Sequence, residues 1–196
     1  GDPYVFGRGG EEVIALEKEK LKFEVIPGIT SPIAVLNYAG IPVTHRGIAQ
    51  SFHIVTGMTG TNEKINWKAL AQEKGTLVFM MGLRSLGNIC DKLKKNGKYE
   101  GTPVAVVSKG MTAKQKTVFG NLLTIEDEVK KNKIEAPAII VVGDVVEVGL
   151  HINEWQIKND KNPLSGKRIL VTGSRNMAFC LEEEFDKYGA ETIAIS

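Results

Sequence analysis

Several common chemistries are missing from this chain of 196 residues. Cys90 and Cys180 are the only cysteines, too few for a disulfide framework. Cys90 falls in a helical pattern, so a buried reduced thiol is expected, as in a cytoplasmic protein. The three histidines, His45, His53 and His151, stand at no metal-ligand spacing, and no C-x-x-C or H-x-x-x-H occurs, so no metal site is expected. An excess of one charge is also absent. A net charge of +2 gives no reason to invoke nucleic acid or an anionic membrane as partner. No apolar run approaches the roughly 20 residues of a membrane span, and no signal peptide is visible. There is no G-x-x-x-x-G-K-[ST], no G-x-G-x-x-G and no G-x-S-x-G. Internal repeats and low-complexity tracts are lacking too.

What remains is ordinary for a soluble globular protein, with 42% apolar and 24% charged residues. The length suits one medium domain, or one and a part. The unusual stretch is the opening, Gly1-Asp2-Pro3-Tyr4-Val5-Phe6-Gly7-Arg8-Gly9-Gly10-Glu11-Glu12. Glycine lets backbone approach a neighbour closely or take positive φ. Glu11 and Glu12 open a helical run at 13–20, where acids complement the helix dipole. The segment reads as a glycine-rich loop feeding a helix, either a surface turn with a cap or a ligand wall. The two acids would repel phosphate at that helix start. A ligand suited to Asp2 carries hydroxyls or positive charge. The chain begins inside this motif and without Met, and is read as a piece of a longer protein.

Apolar periodicity and turn residues give the remaining elements. Residues 23–26 read as a strand broken by Pro27-Gly28. Ser31 as N-cap and Pro32 as first helical residue start a helix that Gly40 and Pro42 end. Strands are expected at 52–56, 76–81, 103–107, 115–119 and 138–142. The run 76–81 is apolar throughout, as for a strand buried on both faces. Residues 58–62 read as a loop. Short helices follow at 67–74, after Ser85 and before Gly97, and from Thr124 to Asn132, where Thr124 and Asp127 resemble a capping box. Gly120 reads as a turn. Lys92, Lys94, Lys95 and Lys98 read as a solvated basic face near a helix end. The polar run from Lys158 to Pro163 reads as a linker. Beyond it come a strand at 167–172, a helix at 177–188 and a strand at 192–195, a βαβ opening that cannot bury its apolar faces alone.

Five stretches in order carry a family resemblance: the opening twelve residues, 25–31 (VIPGITS), 40–46 (GIPVTHR), 78–82 (VFMMG) and 137–145 (PAIIVVGDV). Together they resemble the tetrapyrrole methylases over about residues 1–150, and are closest to the branch that converts uroporphyrinogen III to precorrin-2. The tail resembles the start of a uroporphyrinogen-III synthase. The resemblance implies an α/β protein with the C-terminal mixed-sheet domain of a tetrapyrrole methylase in 1–157, a linker in 158–165, and the truncated βαβ start of a second α/β domain in 166–196.

By resemblance the activity is methyl transfer from S-adenosyl-L-methionine to carbon atoms of a tetrapyrrole, releasing S-adenosyl-L-homocysteine, in sirohaem or cobalamin biosynthesis. Gly1, Asp2, Val5, Thr30, Ser31, Met81 and Gly110 are the implied cofactor contacts. Capping alone would also account for Thr30 and Ser31, and core packing for Met81. Arg8 and Arg46 are candidate partners for the substrate's carboxylates, which arginine binds bidentately. The family's acid–base residues would precede Gly1, so the chain alone is expected to be inactive. A homodimer is implied as well. The alternatives are another methyltransferase of this fold, acting on a later precorrin or on an RNA or protein substrate, and a non-catalytic module for cofactor binding or dimerisation.

Overall fold

The computed structural model of the protein describes residues 1–57, 65–159 and 162–195. The loop expected at 58–62 and positions 160–161 of the expected linker lie outside the described residues. The centre is a five-stranded sheet ordered β1-β2-β5-β3-β4, from β1 (Phe52–Thr56), β2 (Thr76–Met80), β3 (Pro103–Ser108), β4 (Lys116–Asn121) and β5 (Ala138–Val142). Strands β1 and β2 are parallel, while β2–β5, β5–β3 and β3–β4 are antiparallel. The sheet is therefore mixed, and its last strand in sequence lies at its centre.

Alternation along the central strands explains why both faces are covered. Leu77, Phe79, Val104, Val106, Ile140 and Val142 point one way, into a core shared with Trp67, Leu86, Ile89, Leu93 and Ile125. These partners come from α3 (Trp67–Gln72), α4 (Leu86–Lys95) and α5 (Ile125–Lys131). Val78, Ala105, Val107, Ile139 and Val141 point the other way, against Val35, Leu36, Val145 and Val146. The latter belong to α2 (Ser31–Tyr38) and α6 (Val145–Asn159). Phe79 is fully buried and stacks on Trp67 with ring centroids 6.1 Å apart.

Several expectations need correction. Residues 23–26 form no strand and pair with none among the described residues, and Phe23 and Ile26 are exposed. Helix α1 (Gly9–Lys18) begins on the glycines rather than at Val13, because Arg8 takes a left-handed conformation, φ 61°, at its N-cap. The N-cap of α2 is Thr30, so Ser31 is the first helical residue and Pro32 follows it. Gly40 does end α2, with φ 72° and the Ile41 N–H donating to the Leu36 carbonyl at 2.8 Å. Gly120 lies within β4, and the turn comes after Asn121. Thr124 makes no side-chain cap to α5; its hydroxyl accepts from the Asn121 N–H.

Helix α6 had no counterpart in the sequence reading. It covers Lys158 and Asn159, the first two residues of the expected linker. The lysine cluster is not simply solvated. Lys98 is half-buried, donates to the Glu73 carbonyl, and is depressed in pKa by burial. Lys92 lies 5.0 Å from the Trp67 ring centre.

The tail forms its own parallel pair, β6 (Arg168–Thr172) and β7 (Glu191–Ile195), joined by α7 (Arg175–Lys187). Leu170, Met177, Phe179 and Ile195 all remain exposed there, in line with a unit that cannot cover its own apolar faces. Among the described residues, no helix is long and apolar enough to cross a membrane.

Both cysteines are free; Cys90 is buried and Cys180 exposed. Burial pushes the Cys90 thiol up to about 11. A thiol reagent at pH 8 should therefore label Cys180 quickly and Cys90 only on unfolding; rapid labelling of both in the native protein would contradict this packing. Phe79→Ala should cost roughly 3–5 kcal/mol in denaturant unfolding, the usual loss for a buried aromatic, whereas a loss below about 1 kcal/mol would mean that the stacked pair is not part of the core.

Candidate functional site

The opening loop is fixed by one carboxylate. The Oδ2 of Asp2 accepts from the Gly28 N–H at 3.0 Å and its Oδ1 from the Tyr4 N–H at 2.9 Å. These two bonds, Gly28 first, hold the Asp2 carboxyl below its ordinary pKa. They latch the first residues onto the turn at Pro27-Gly28, so tightly that a Cβ at Gly28 would stand 2.1 Å from the Gly1 carbonyl oxygen. Farther along, a Cβ at Gly7 or at Gly9 would meet the Pro3 carbonyl at 2.7 Å. The glycines thus serve close chain approach. A cavity of about 720 Å³ lies beside this loop, lined by Pro3, Tyr4, Phe6, Arg8, Gly9, Gly10, Glu11 and Met81.

A second cavity, of about 760 Å³, sits at one end of the central sheet. Strands β2 and β3 point their carboxyl ends toward it, and β5 enters from it. The register sets Ile139 between Met80 and Val107, and Ala138 beside Ser108. Met80, Val107, Pro137 and Ile139 form much of its apolar wall, with Val35 from α2. Ser31, Arg84 and Ser85 supply side-chain polarity, and the turns at Met81 and Gly110 supply backbone. Met81 has φ 56°, a conformation uncommon outside glycine. Beside it two glycines touch: a Cβ at Gly57 would be 2.4 Å from the Gly82 Cα.

Of the residues expected in the site, Ser31, Met81 and Gly110 line the second cavity, and Met81 also lines the first. Gly1, Asp2, Val5 and Thr30 line neither. The Asp2 carboxylate is occupied by backbone N–H groups, so here its role is to hold the loop. Thr30 is buried, and its carbonyl accepts from the Ile33 and Ala34 N–H groups at the start of α2. Arg8 lines the first cavity but its guanidinium is paired with Glu11 at 2.5 Å, which raises its pKa. Arg46 is exposed in the turn closed by His45 and Ala49 and lines neither cavity.

Leu83, Arg84, Ser85 and 136–139 belong to the second cavity and were not singled out from the sequence. The run 137–145 is one of the five stretches of resemblance, so a signal existed at Pro137. What it lacked was the knowledge that β5 inserts between β2 and β3.

Removing the latch should loosen the loop alone. Asp2→Ala should speed amide exchange at Tyr4 and Gly28 while leaving β3 and β5 protected. Because the carboxylate is favoured in the folded state, the latch is present above the ordinary Asp value, about 4, and is lost as pH falls through the lower folded value. Unchanged exchange in the variant would contradict it.

The family model for Tetrapyrrole (Corrin/Porphyrin) Methylases matches residues 1–126. A uroporphyrinogen-III C-methyltransferase of Priestia megaterium is 50% identical over 148 residues, covering 74% of this chain and 62% of its own. One of Bacillus subtilis (strain 168) is 40% identical over 197 residues, covering 98% of this chain and 40% of its own. The solved uroporphyrin-III C-methyl transferase of Thermus thermophilus, complexed with S-adenyl homocysteine, shares the fold at a TM-score of 0.65 and 35% identity, over 76% of this chain and 62% of that one. The chain thus spans less than two thirds of the length of each of these relatives. With the family match extending over more than half of its residues, the chain belongs to the tetrapyrrole (corrin/porphyrin) methylases.

Proposed function

We propose that the second cavity holds S-adenosylmethionine. Within a longer protein, the chain would then take part in C-methylation of uroporphyrinogen III to precorrin-2, for sirohaem or cobalamin. The observation that carries this reading is the place of Met81, which walls both cavities. A methyl donor in one and its acceptor in the other would share that wall.

The second cavity fits the cofactor chemically. Its volume is in the range of small-molecule sites. Val35, Val107 and Ile139 offer an apolar surface for a purine. Ser31 and Ser85 offer hydroxyls for a ribose, and Arg84 a guanidinium for a carboxylate. When bound, the cofactor would supply an already activated sulfonium methyl, so the residues here need only bind, orient and exclude water. The first cavity would take the tetrapyrrole. Tyr4 and Phe6 give it ring-sized apolar surface, and Arg8 would exchange Glu11 for a substrate carboxylate. Arg46, outside both cavities, would meet substrate only if the substrate overhangs them. Ring deprotonation would fall to residues outside this chain, leaving it inactive alone.

The tail reads as the start of a uroporphyrinogen-III synthase, giving the longer protein a second activity that makes the substrate of the first. The alignment with the Bacillus subtilis relative, which extends over 98% of this chain, supports keeping the tail with the methylase. A cytoplasmic homodimer completes the reading. The free cysteines support a reducing compartment.

Calorimetric titration of S-adenosylhomocysteine should show saturable binding to the chain. Ser31→Phe, which fills the second cavity, should abolish it without lowering the melting temperature, and Arg46→Ala should leave it unchanged. Binding that survives Ser31→Phe would contradict the site. In the complete protein, Arg8→Ala should weaken the tetrapyrrole substrate about tenfold or more, the scale of one lost charge-assisted contact; an unchanged substrate affinity would remove Arg8 from the site.

A further inference from the structure

The loop between β3 and β4 carries Gly110 into the wall of the second cavity, and its conformation is a demanding one. Lys109 and Met111, on either side of Gly110, have φ of 48° and 61°. Side chains rarely adopt this region, so such a loop persists only where its surroundings impose it. On the inner side the constraint is plain. A Cβ at Gly110 would stand 2.4 Å from a methyl of Val35, and the Lys109 N–H donates to the Pro137 carbonyl at 2.8 Å. Within the loop, the Thr112 hydroxyl donates to the Lys109 carbonyl at 2.7 Å, and the Met111 N–H donates to the Gln115 Oε1 at 2.8 Å.

The outer side is held from the distant tail. The Ala113 N–H donates to the Glu191 Oε2 at 2.6 Å, across 78 positions of sequence. The other oxygen of Glu191 accepts from the Arg168 guanidinium at 2.5 Å. The two residues are direct partners in the β6–β7 register, and the Glu191 N–H donates to the Lys167 carbonyl, so the carboxylate is fixed by its own sheet. The turn leading into β6 approaches the same point, since a Cβ at Gly166 would lie 3.7 Å from the Ala113 carbonyl. The contact is therefore a charged clamp set on the loop, not a passing touch between surface side chains. The same two bonds, Arg168 first and Ala113 second, hold the Glu191 carboxyl below its ordinary pKa.

We propose that Glu191, set by Arg168, is a positioning residue for the second cavity: through Ala113 the β6-α7-β7 unit holds the 109–115 loop in the shape that places Gly110 in the wall. The tail is then part of what makes the site able to bind, and not merely the start of a separate domain. The consequence for affinity rests on the cofactor reading above; the clamp itself does not.

Two readouts on the full chain separate them. In Glu191→Ala, amide exchange at Gly110 and Ala113 should accelerate at least tenfold, with β3 and β5 unchanged, and S-adenosylhomocysteine should bind about tenfold more weakly. Glu191→Gln keeps an acceptor for the Ala113 N–H and should recover part of both. Lys187→Ala, which breaks only the surface pair with Glu184 on α7, should change neither. Unchanged exchange at Gly110 and Ala113 in Glu191→Ala would overturn the clamp whatever the ligand does. Accelerated exchange with undiminished S-adenosylhomocysteine affinity would overturn its role in the site. Accelerated exchange in a protein that never binds S-adenosylhomocysteine would uphold the clamp and overturn the cofactor reading.

Discussion

The pairing of β5 on both of its sides is the constraint on which the rest depends. Residues 138–142 arrive after most of the sheet has been laid down in sequence, and insert antiparallel between β2 and β3. That insertion closes the sheet into one buried layer, with Ile140, Val141 and Val142 inaccessible to solvent. It also brings three turns to one end: the turn after β2 at Met81, the turn after β3 at Gly110 and the entry to β5 at Pro137. Without β5 the first two would stand two strand-widths apart with nothing between them, about 10 Å at the usual strand spacing. The cavity is thus a consequence of strand order, and its wall is mostly backbone and apolar side chain because strand ends are what meet there.

Around this fixed end the structure sets two more adjustable pieces. The opening loop, which lines the first cavity, is latched by Asp2 to the turn at Gly28, just before α2 in sequence. The 109–115 loop is held on one side by Val35 of that helix and on the other by Glu191 of the tail. Helix α2 contributes directly to the second cavity. Its N-terminal residue, Ser31, faces the second cavity, while Val35, one turn later, touches both the cavity and the loop.

Much of this was legible in the sequence because it was local. Strands β1 and β5 match their expected bounds, and β2 and β3 differ by one residue each, since apolar runs flanked by Gly and Pro leave few choices. The misses have a common cause. Residues 23–26 have the composition of a strand, yet among the described residues they pair with none. Helix α6 was not expected, and the glycine within it, Gly149, serves packing: a Cβ there would be 2.5 Å from the Ile41 side chain. Of the residues singled out for the site, Ser31, Met81 and Gly110 line the second cavity, and each sits at the boundary of an element, where local sequence is easiest to read. Asp2 was also singled out, but with a ligand in mind, whereas the structure spends its carboxylate on Gly28 and Tyr4. Arg84, Ser85 and the 136–139 entry could not be read, because their meeting depends on which strand lies next to which.

The most direct test is a crystal structure of the chain with S-adenosylhomocysteine. The account predicts ligand density at the end of β2, β3 and β5, in contact with Ser31, Met81 and Gly110 and on the side of Met81 away from Arg8. A bound ligand touching none of the 136–139 entry, the Met81 turn or Gly110 would contradict it.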